Sequence, residues 1–513
     1  MLRPEAPSLP DTVGADPSPG RAGEAGVAAA RIHPLALVLL LALAIRLPLA
    51  FWPNTIHPDE TFQYLEPAWR MLGHDGIVTW EWRVGIRGWF LPTLIAGPVA
   101  LGDWIAPDGS GAFVVSRLVF ALASLSIVVS AWVFGARISR THAIVAAFVA
   151  AMWFEIILFA PHTLSESLAT ALIVPAALLL TDDPSRRRLI IGGALLALAF
   201  VCRFQYAPAT AVLVIGVCWR NWRNLLPMIA GGIVALLFAA MIDIAHGAVP
   251  FGWLVANIEQ NLLHDRAAGF GVSPMFAYLS SFWITWSAAI VLLFAAVWRG
   301  SRHAPLLLAM ALTDILFHSL IAHKEFRFIF LSVVLLIILA ALGSADWVQS
   351  LRTKRAWRPW ALPAVLAGWA LISIVGGTSE QMRINWMRGI GAARLAAELR
   401  GDPDLCGLAL YNAPFYLLPG RERLSGPAPL YAILPTDPLA KEQMPATVQA
   451  ASPAFNRVLV RADSVADLPA EFSRRACEAV GNATACIYAR PGACDATAAA
   501  SLAINDVLGR SGE

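Results

Sequence analysis

The stretch IHPDETFQYLEPAWR, Ile56 to Arg70, sets an Asp-Glu pair just outside the first hydrophobic run of the chain, Pro34 to Phe51. That run is too long for a signal-peptide core and lacks a convincing small-residue cleavage site, so it is expected to persist as the first membrane helix. Two acids at a membrane edge admit two readings. Asp59 or Glu60 can take a proton from a hydroxyl nucleophile. Equally, Pro58 and an acidic first turn suit the N-terminus of a helix starting near Thr61. His57 can orient an acid or cap the same turn.

Working outward, 58% of the 513 residues are hydrophobic and 14% charged, and mean hydropathy is +0.63. Soluble domains carry roughly 25% charged residues, so the chain reads as a polytopic α-helical membrane protein. The net charge of +3 is small, and its arginines gather in short loops, which sets topology and leaves no nucleic-acid footprint. Residues 1–30, rich in Pro, Gly and Ala with no apolar face, are expected to form a disordered cytoplasmic tail. The membrane domain is expected over 31–377. After the first helix, apolar runs fall at about 112–135, 142–160, 166–181, 226–246, 276–298, 304–322, 328–345 and 360–377. A shorter pair, 189–202 and 206–219, reads as a hairpin turning within the bilayer at Arg203. That makes about eleven spans, with a long first outer loop at about 52–111. The loops holding Arg137, Arg186 to Arg188, Arg220, Arg299 and Arg352 then share one side, which the positive-inside rule makes cytoplasmic along with the N-terminus.

The unusual polar clusters all fall on the opposite side: HPDE (His57 to Glu60), PHTLSES (Pro161 to Ser167), RFQY (Arg203 to Tyr206), NIEQNLLHDR (Asn257 to Arg266) and HKEFRF (His323 to Phe328). A cavity opening outward is the economical reading. Outward cations at His323, Lys324 and Arg327 suit a phosphate held near the bilayer surface, or else an internal ion-pair network with Glu325, Asp59 or Glu60. Arg203 at the tip of an intramembrane turn needs a buried acid or a lipid phosphate. Glu155, His162 and Glu166 are positioned to pair with it or to shape the pocket. Trp80, Trp82, Trp89 and Trp104 populate the first outer loop, where indoles anchor to the interface or stack on sugar rings.

Beyond Thr378 the hydropathy falls. An amphipathic helix is expected near Met387 to Leu399, with strands in LCGLALYNAPFYLL and FNRVLVRAD, giving a small extracytoplasmic α/β domain over 378–513. Four of the six cysteines, Cys406, Cys477, Cys486 and Cys494, lie there. In an exported domain they are expected to form two disulfides, with three connectivities open.

HPDE with the following FQYLEPA, and HKEFRF running into an apolar helix, together resemble the two signature stretches of glycosyltransferase family 22, the GT-C mannosyltransferases of the N-glycan and GPI-anchor pathways. GFGVSP, Gly269 to Pro274, is similar to a glycine-rich outer-loop segment of that family. The resemblance runs from Pro34 to Leu342. It implies the GT-C fold and a metal-independent, inverting transfer of a sugar, usually mannose, from a polyprenyl or dolichyl phosphate onto an acceptor hydroxyl. It assigns the catalytic base to Asp59, with Glu60 and His57 in support, and the donor phosphate to Lys324 and Arg327 with His323 and Arg203. Glu166 and Glu325 are read as supporting residues. No cofactor is expected, and no His and carboxylate spacing demands a metal. PHTLSES departs from the eukaryotic pattern at His162 and Glu166, and the tail lies outside the resemblance.

Composition and topology suit a bacterial inner (plasma) membrane, with polyprenyl-phosphate mannose as donor and a glycolipid, polysaccharide or protein of the cell envelope as acceptor. Two rival classes are a lipid-linked-sugar transporter, for which no internal repeat is evident, and a non-catalytic envelope-assembly subunit.

Overall fold

The computed structural model describes residues 33–107, 110–356, 358–418, 420–424 and 426–512; the expected N-terminal tail lies outside them. All eleven expected apolar runs are helical. Their lengths differ from eleven full spans. Among the described residues, Ser110–Ala136, Trp222–Ala245, Ala277–Gly300 and Phe326–Arg352 are long and apolar enough to cross a membrane unaided, and Ala361–Gly377 with Glu380–Arg400 form a pair bent by 67°. Others are short: Arg140–Met152 has 13 residues and Ser165–Leu180 has 16. At 1.5 Å per residue, 13 residues reach only about 20 Å. The chain breaks at Trp153 and Arg203 because irregular backbone is tolerated at depth when protein surrounds it.

The Phe326–Arg352 helix is the centre of the bundle, with 94% of its apolar window buried. Trp222–Ala245 is nearly as apolar but only 22% buried, so it is packing among neighbouring helices, not apolarity alone, that makes Phe326–Arg352 central. Its closest neighbour, Ile290–Gly300, is admitted by Gly300 and Gly343, where an added Cβ would overlap the carbonyls of Leu339 and Ala296 respectively. Arg46, fully buried in Pro34–Ala50, is satisfied by another break: it donates to the carbonyls of Ala150 (3.0 Å) and Ala151 (2.9 Å) and to Ser124 Oγ (3.2 Å). The carbonyls at a helix C-terminus lack intrahelical donors, and this guanidinium supplies them.

The expected first outer loop is largely helical. A π-helical turn, Glu60–Leu65, runs into Glu66–Met71, and Phe90–Ile105 forms a 16-residue helix. Leu94, Leu101, Trp104 and Ile105 are exposed on that helix, which is the composition of a face turned to lipid.

The C-terminal region contains the expected helix, Ile390–Arg400, and a five-stranded sheet of order β2-β1-β3-β5-β4. β1 (Leu408–Tyr411), β2 (Leu430–Ile433) and β3 (Arg457–Arg461) are parallel, while β4 (Ser473–Val480) and β5 (Ala483–Ala489) form an antiparallel hairpin added at β3. β1 and β3 fall within the two segments read as strands from sequence, though the first segment continues past β1 into a helical turn at Phe415–Leu417. Phe62 and Ile77 of the first loop are buried in this region's own hydrophobic core. The loop is also bonded to it: Thr55 N donates to Arg388 O (2.9 Å), Arg388 Nη1 to Ile56 O (2.9 Å), and Val78 N to Asn505 Oδ1 (2.8 Å). The segment carrying Asp59 is thereby fixed from above as well as from the bundle.

The four tail cysteines pair as Cys406 with Cys494 and Cys477 with Cys486, the latter directly opposite each other on β4 and β5. Peptide mapping without reductant is expected to return these two cross-links, with Cys202 and Cys218 found as free thiols. Any other pairing would contradict the sheet register.

Candidate active site

The two segments singled out from the sequence meet in space. Arg327 opens the central helix and donates to three carboxylates: Asp59 Oδ2 (2.9 Å), Glu166 Oε1 (2.9 Å) and Glu325 Oε2 (2.5 Å). Arg203 Nη1 reaches Glu166 Oε1 as well (3.1 Å), and its guanidinium lies over the Phe328 ring, 4.7 Å from the centroid. Arg87 Nη2 lies 3.8 Å from Asp59 Oδ2 and 3.7 Å from Glu81. His57 bridges Asp59 through Nδ1 (3.3 Å) and Glu325 through Nε2 (3.2 Å).

This geometry sorts the sequence-derived candidates. Arg327 is buried and its nitrogens are engaged by acids, so of the two readings left open for it the ion-pair network is the one the geometry displays. Lys324 stands apart from the acids: Nζ donates to the carbonyls of Ser273 (3.1 Å) and Ile321 (2.5 Å). His323 bonds Glu325 Oε1 (2.9 Å) and Gly271 O (2.9 Å). HKEFRF is thus fastened to the GFGVSP segment, which gives the co-occurrence of those two stretches a physical cause. Glu60 is wholly buried, with Oε1 accepting from Ile56 N (2.8 Å) and His57 N (3.3 Å) and Oε2 paired with His162 Nδ1 (2.6 Å). Those bonds shape the turn that presents Asp59.

Some expectations need correction. Glu155 does not pair with Arg203; it accepts from the indoles of Trp153 (2.6 Å) and Trp286 (2.9 Å), deep among aromatic rings. His162 serves Glu60 and lies 3.4 Å from Arg117. Only Glu166 takes the Arg203 pairing weighed for all three. Of the four indoles, Trp104 is exposed as an anchor would be, whereas Trp89 stacks on His246 and Trp80 lies beneath the Arg266 guanidinium.

Burial alone would raise the Asp59 pKa, but Arg327, then His57 and Arg87, outweigh it and hold the carboxyl well below the usual range. Burial and Arg327 both act to neutralise His57, yet Asp59 and Glu325 prevail and raise it to about 9. Asp59 is accordingly ionised, and with a side chain 14% exposed it is more accessible than Glu60 or Glu166.

Next to Arg87 opens a cleft of about 480 Å³, counting the open solvent at its mouth, lined by Tyr64, Arg87, Ser165, Arg203, Trp253 and Asn257 among others. Two guanidiniums flank it, and both Arg87 Nε and Arg203 Nε are buried without a hydrogen-bond acceptor in the protein. Two cations lining one cleft make it electropositive, the field an anionic ligand needs. Arg87 was not singled out from the sequence. The available signal was a cation in a loop assigned to the outer side, against the positive-inside pattern.

A bundle of broken helices, an acid and cation site at its polar end and a sheet region clasped over that end define a polytopic membrane glycosyltransferase of the GT-C fold. The structure of ArnT from Cupriavidus metallidurans bound to undecaprenyl phosphate is similar, with TM-score 0.61 at 14% identity over 89% of this chain and 99% of that one. Residues 37–389 match the Alg9-like mannosyltransferase family, and the chain belongs to that family. Among its relatives, GPI mannosyltransferase 3 of Yarrowia lipolytica is 27% identical over 440 residues, 79% of each chain. GPI alpha-1,2-mannosyltransferase 3 of Bos taurus is 25% identical over 71% of this chain and 66% of its own length.

Two outcomes are expected. Because the folded-state pKa of His57 is raised from 6.5 to about 9, its contribution to stability is complete below about pH 6.5 and lost as pH rises through about 9. The unfolding midpoint of the wild type should therefore fall more steeply between pH 7 and 9.5 than that of His57→Gln; equal slopes would show that the imidazolium does not hold the cluster. Glu166→Ala leaves Arg203 and Arg327 short of a partner and should cost about 3–5 kcal/mol, seen as a large fall in that midpoint, with Glu166→Gln intermediate.

Proposed function

We propose that this enzyme transfers mannose from a polyprenyl-phosphate-linked donor to a hydroxyl of a lipid-anchored glycan acceptor, with inversion, on the outer face of the membrane. The observation that carries this reading is the cleft lined by Arg87 and Arg203, with Asp59 behind Arg87, 3.8 Å from its Nη2. The donor phosphate enters between the two guanidiniums, whose charges hold it in the cleft. The acceptor oxygen attacks the anomeric carbon from the face opposite the phosphate. The bond from that carbon to the phosphate oxygen breaks, and the electron pair leaves with the lipid phosphate, whose growing charge Arg87 and Arg203 stabilise. The acceptor proton passes to Asp59.

A carboxylate held so far below its normal range is a weak base at rest. An anion on Arg87 relieves only the smallest of the three positive influences on Asp59, so proton uptake also draws on the acceptor hydroxyl growing more acidic as its oxygen bonds to the anomeric carbon. Arg327 keeps Asp59 oriented by sharing it with Glu166 and Glu325. Lys324 and His323 act one step out, securing the glycine-rich segment that borders the cluster.

The relatives are named as GPI mannosyltransferases and the structural neighbour was solved with undecaprenyl phosphate; both support a lipid-linked donor, and the former support a glycolipid acceptor. Composition supports a bacterial plasma membrane, with the N-terminus cytoplasmic and the disulfide-bearing region over 378–513 outside.

Mannose transfer from a short-chain polyprenyl-phosphate mannose in membranes is the test. Asp59→Asn should lower kcat by at least about 10²-fold at unchanged expression. Arg87→Ala should chiefly raise the donor KM. Equal activity of wild type and Asp59→Asn would make Asp59 a helix cap and leave this chemistry without its base.

A further inference from the structure

The end of the bundle remote from Asp59 holds a second constellation. His142 stands at the start of the Arg140–Met152 helix, His303 in the turn before Pro305–Leu320, and Asp346 towards the end of the central helix. Asp346 and Arg327 share that helix nineteen residues apart, about 28 Å at 1.5 Å per residue. Hence the group plays no part in the transfer site.

Three segments distant in sequence aim ligand atoms at one point. His142 Nε2 lies 3.1 Å from Asp346 Oδ1, and His303 Nε2 lies 3.2 Å from Oδ1 and 3.1 Å from Oδ2. All three ligand atoms fall within 4.8 Å of one another. The edge of a tetrahedron with zinc-like bonds is about 3.3 Å, so the two His-to-Asp separations already match it, and a modest turn of His303 in its loop brings the imidazoles together. His142 has the orienting partner that a ligating histidine requires. His142 Nδ1 is 2.8 Å from Ser139 Oγ, which also accepts from Gln349 Nε2 (3.1 Å). Arg299 Nε lies 3.2 Å from Asp346 Oδ2, within ion-pair range but without a hydrogen bond, and there it competes as a cation. His142 is fully buried and His303 is 27% exposed, so one side is anchored and the other open to entry.

We propose that His142, His303 and Asp346 bind one divalent transition-metal ion of the zinc type, which staples three helical segments at the end of the bundle opposite the transfer site. Two imidazoles and a carboxylate favour zinc, cobalt or nickel over magnesium or calcium. The fourth position, on the exposed side by His303, is left to water. The ion's role is to fix the far end of the central helix whose first turn carries Arg327.

The full-length protein in detergent, stripped with chelator, is titrated with Zn²⁺ alone and separately with Co²⁺. Wild type should bind one ion tightly at this site, give the intense visible absorption of four-coordinate Co²⁺ and show a raised unfolding midpoint. His303→Gln, at a surface turn where folding is least at risk, should weaken binding at least tenfold and abolish the midpoint shift, as should Asp346→Asn. Arg299→Gln should bind equally or more tightly, since a competing cation is gone. Wild type retaining no more metal than His303→Gln, or an unchanged midpoint with Zn²⁺, would overturn the proposal and leave the carboxylate as a hydrogen-bond acceptor for its neighbours.

Discussion

One guanidinium, that of Arg327, is shared among Asp59, Glu166 and Glu325, and the polar end of the molecule is organised around it. Each of those carboxylates comes from a different part of the chain: the turn after the first helix, the start of Ser165–Leu180, and the residue before the turn into the central helix. Removing them from water is expensive unless each finds a donor. Three acids and the three guanidiniums of Arg87, Arg203 and Arg327 achieve this, with His57 adding a further positive charge. Because no member can move without stranding another, the cluster holds Asp59 in one orientation beside the cleft.

The region after Thr378 contributes to the same end. It buries Phe62 and Ile77 in its own core and bonds Thr55 and Ile56 on the approach to Asp59. The likeness to ArnT covers 89% of this chain, more than the portion before Thr378 alone would supply, so it extends into the sheet region. That region therefore belongs to the fold of the enzyme even though the family model ends at residue 389.

Much of this was legible in the residues. Apolar runs of the central helix and of the Arg186–Cys202 and Ala207–Arg220 pair, turning at Arg203, follow directly from hydropathy, and β1 and β3 from short apolar runs separated by Pro and Gly turns. Asp59, Glu166, Arg203, Glu325 and Arg327 could be named as one neighbourhood because each is a charge at a place where charge is costly. Partners were less accessible. Glu60 and Glu155 look as reactive in sequence as Asp59, and only burial with His162, Trp153 and Trp286 separates them. Arg87 sits in a loop read as irregular, and its value comes from a cleft formed with residues more than a hundred positions away. His142, His303 and Asp346 have no local spacing at all, since helices spanning the bundle bring them together.

The central claim is that the cleft between Arg87 and Arg203 receives the donor's phosphate while Arg327 holds the base. An electron cryomicroscopy structure with polyprenyl phosphate tests it most directly. Phosphate density within hydrogen-bonding distance of both Arg87 and Arg203, with Arg327 still on Asp59 and Glu166, is the predicted result. Phosphate seated on Lys324 and Arg327, with the Asp59 pair broken and the cleft unfilled, would contradict it.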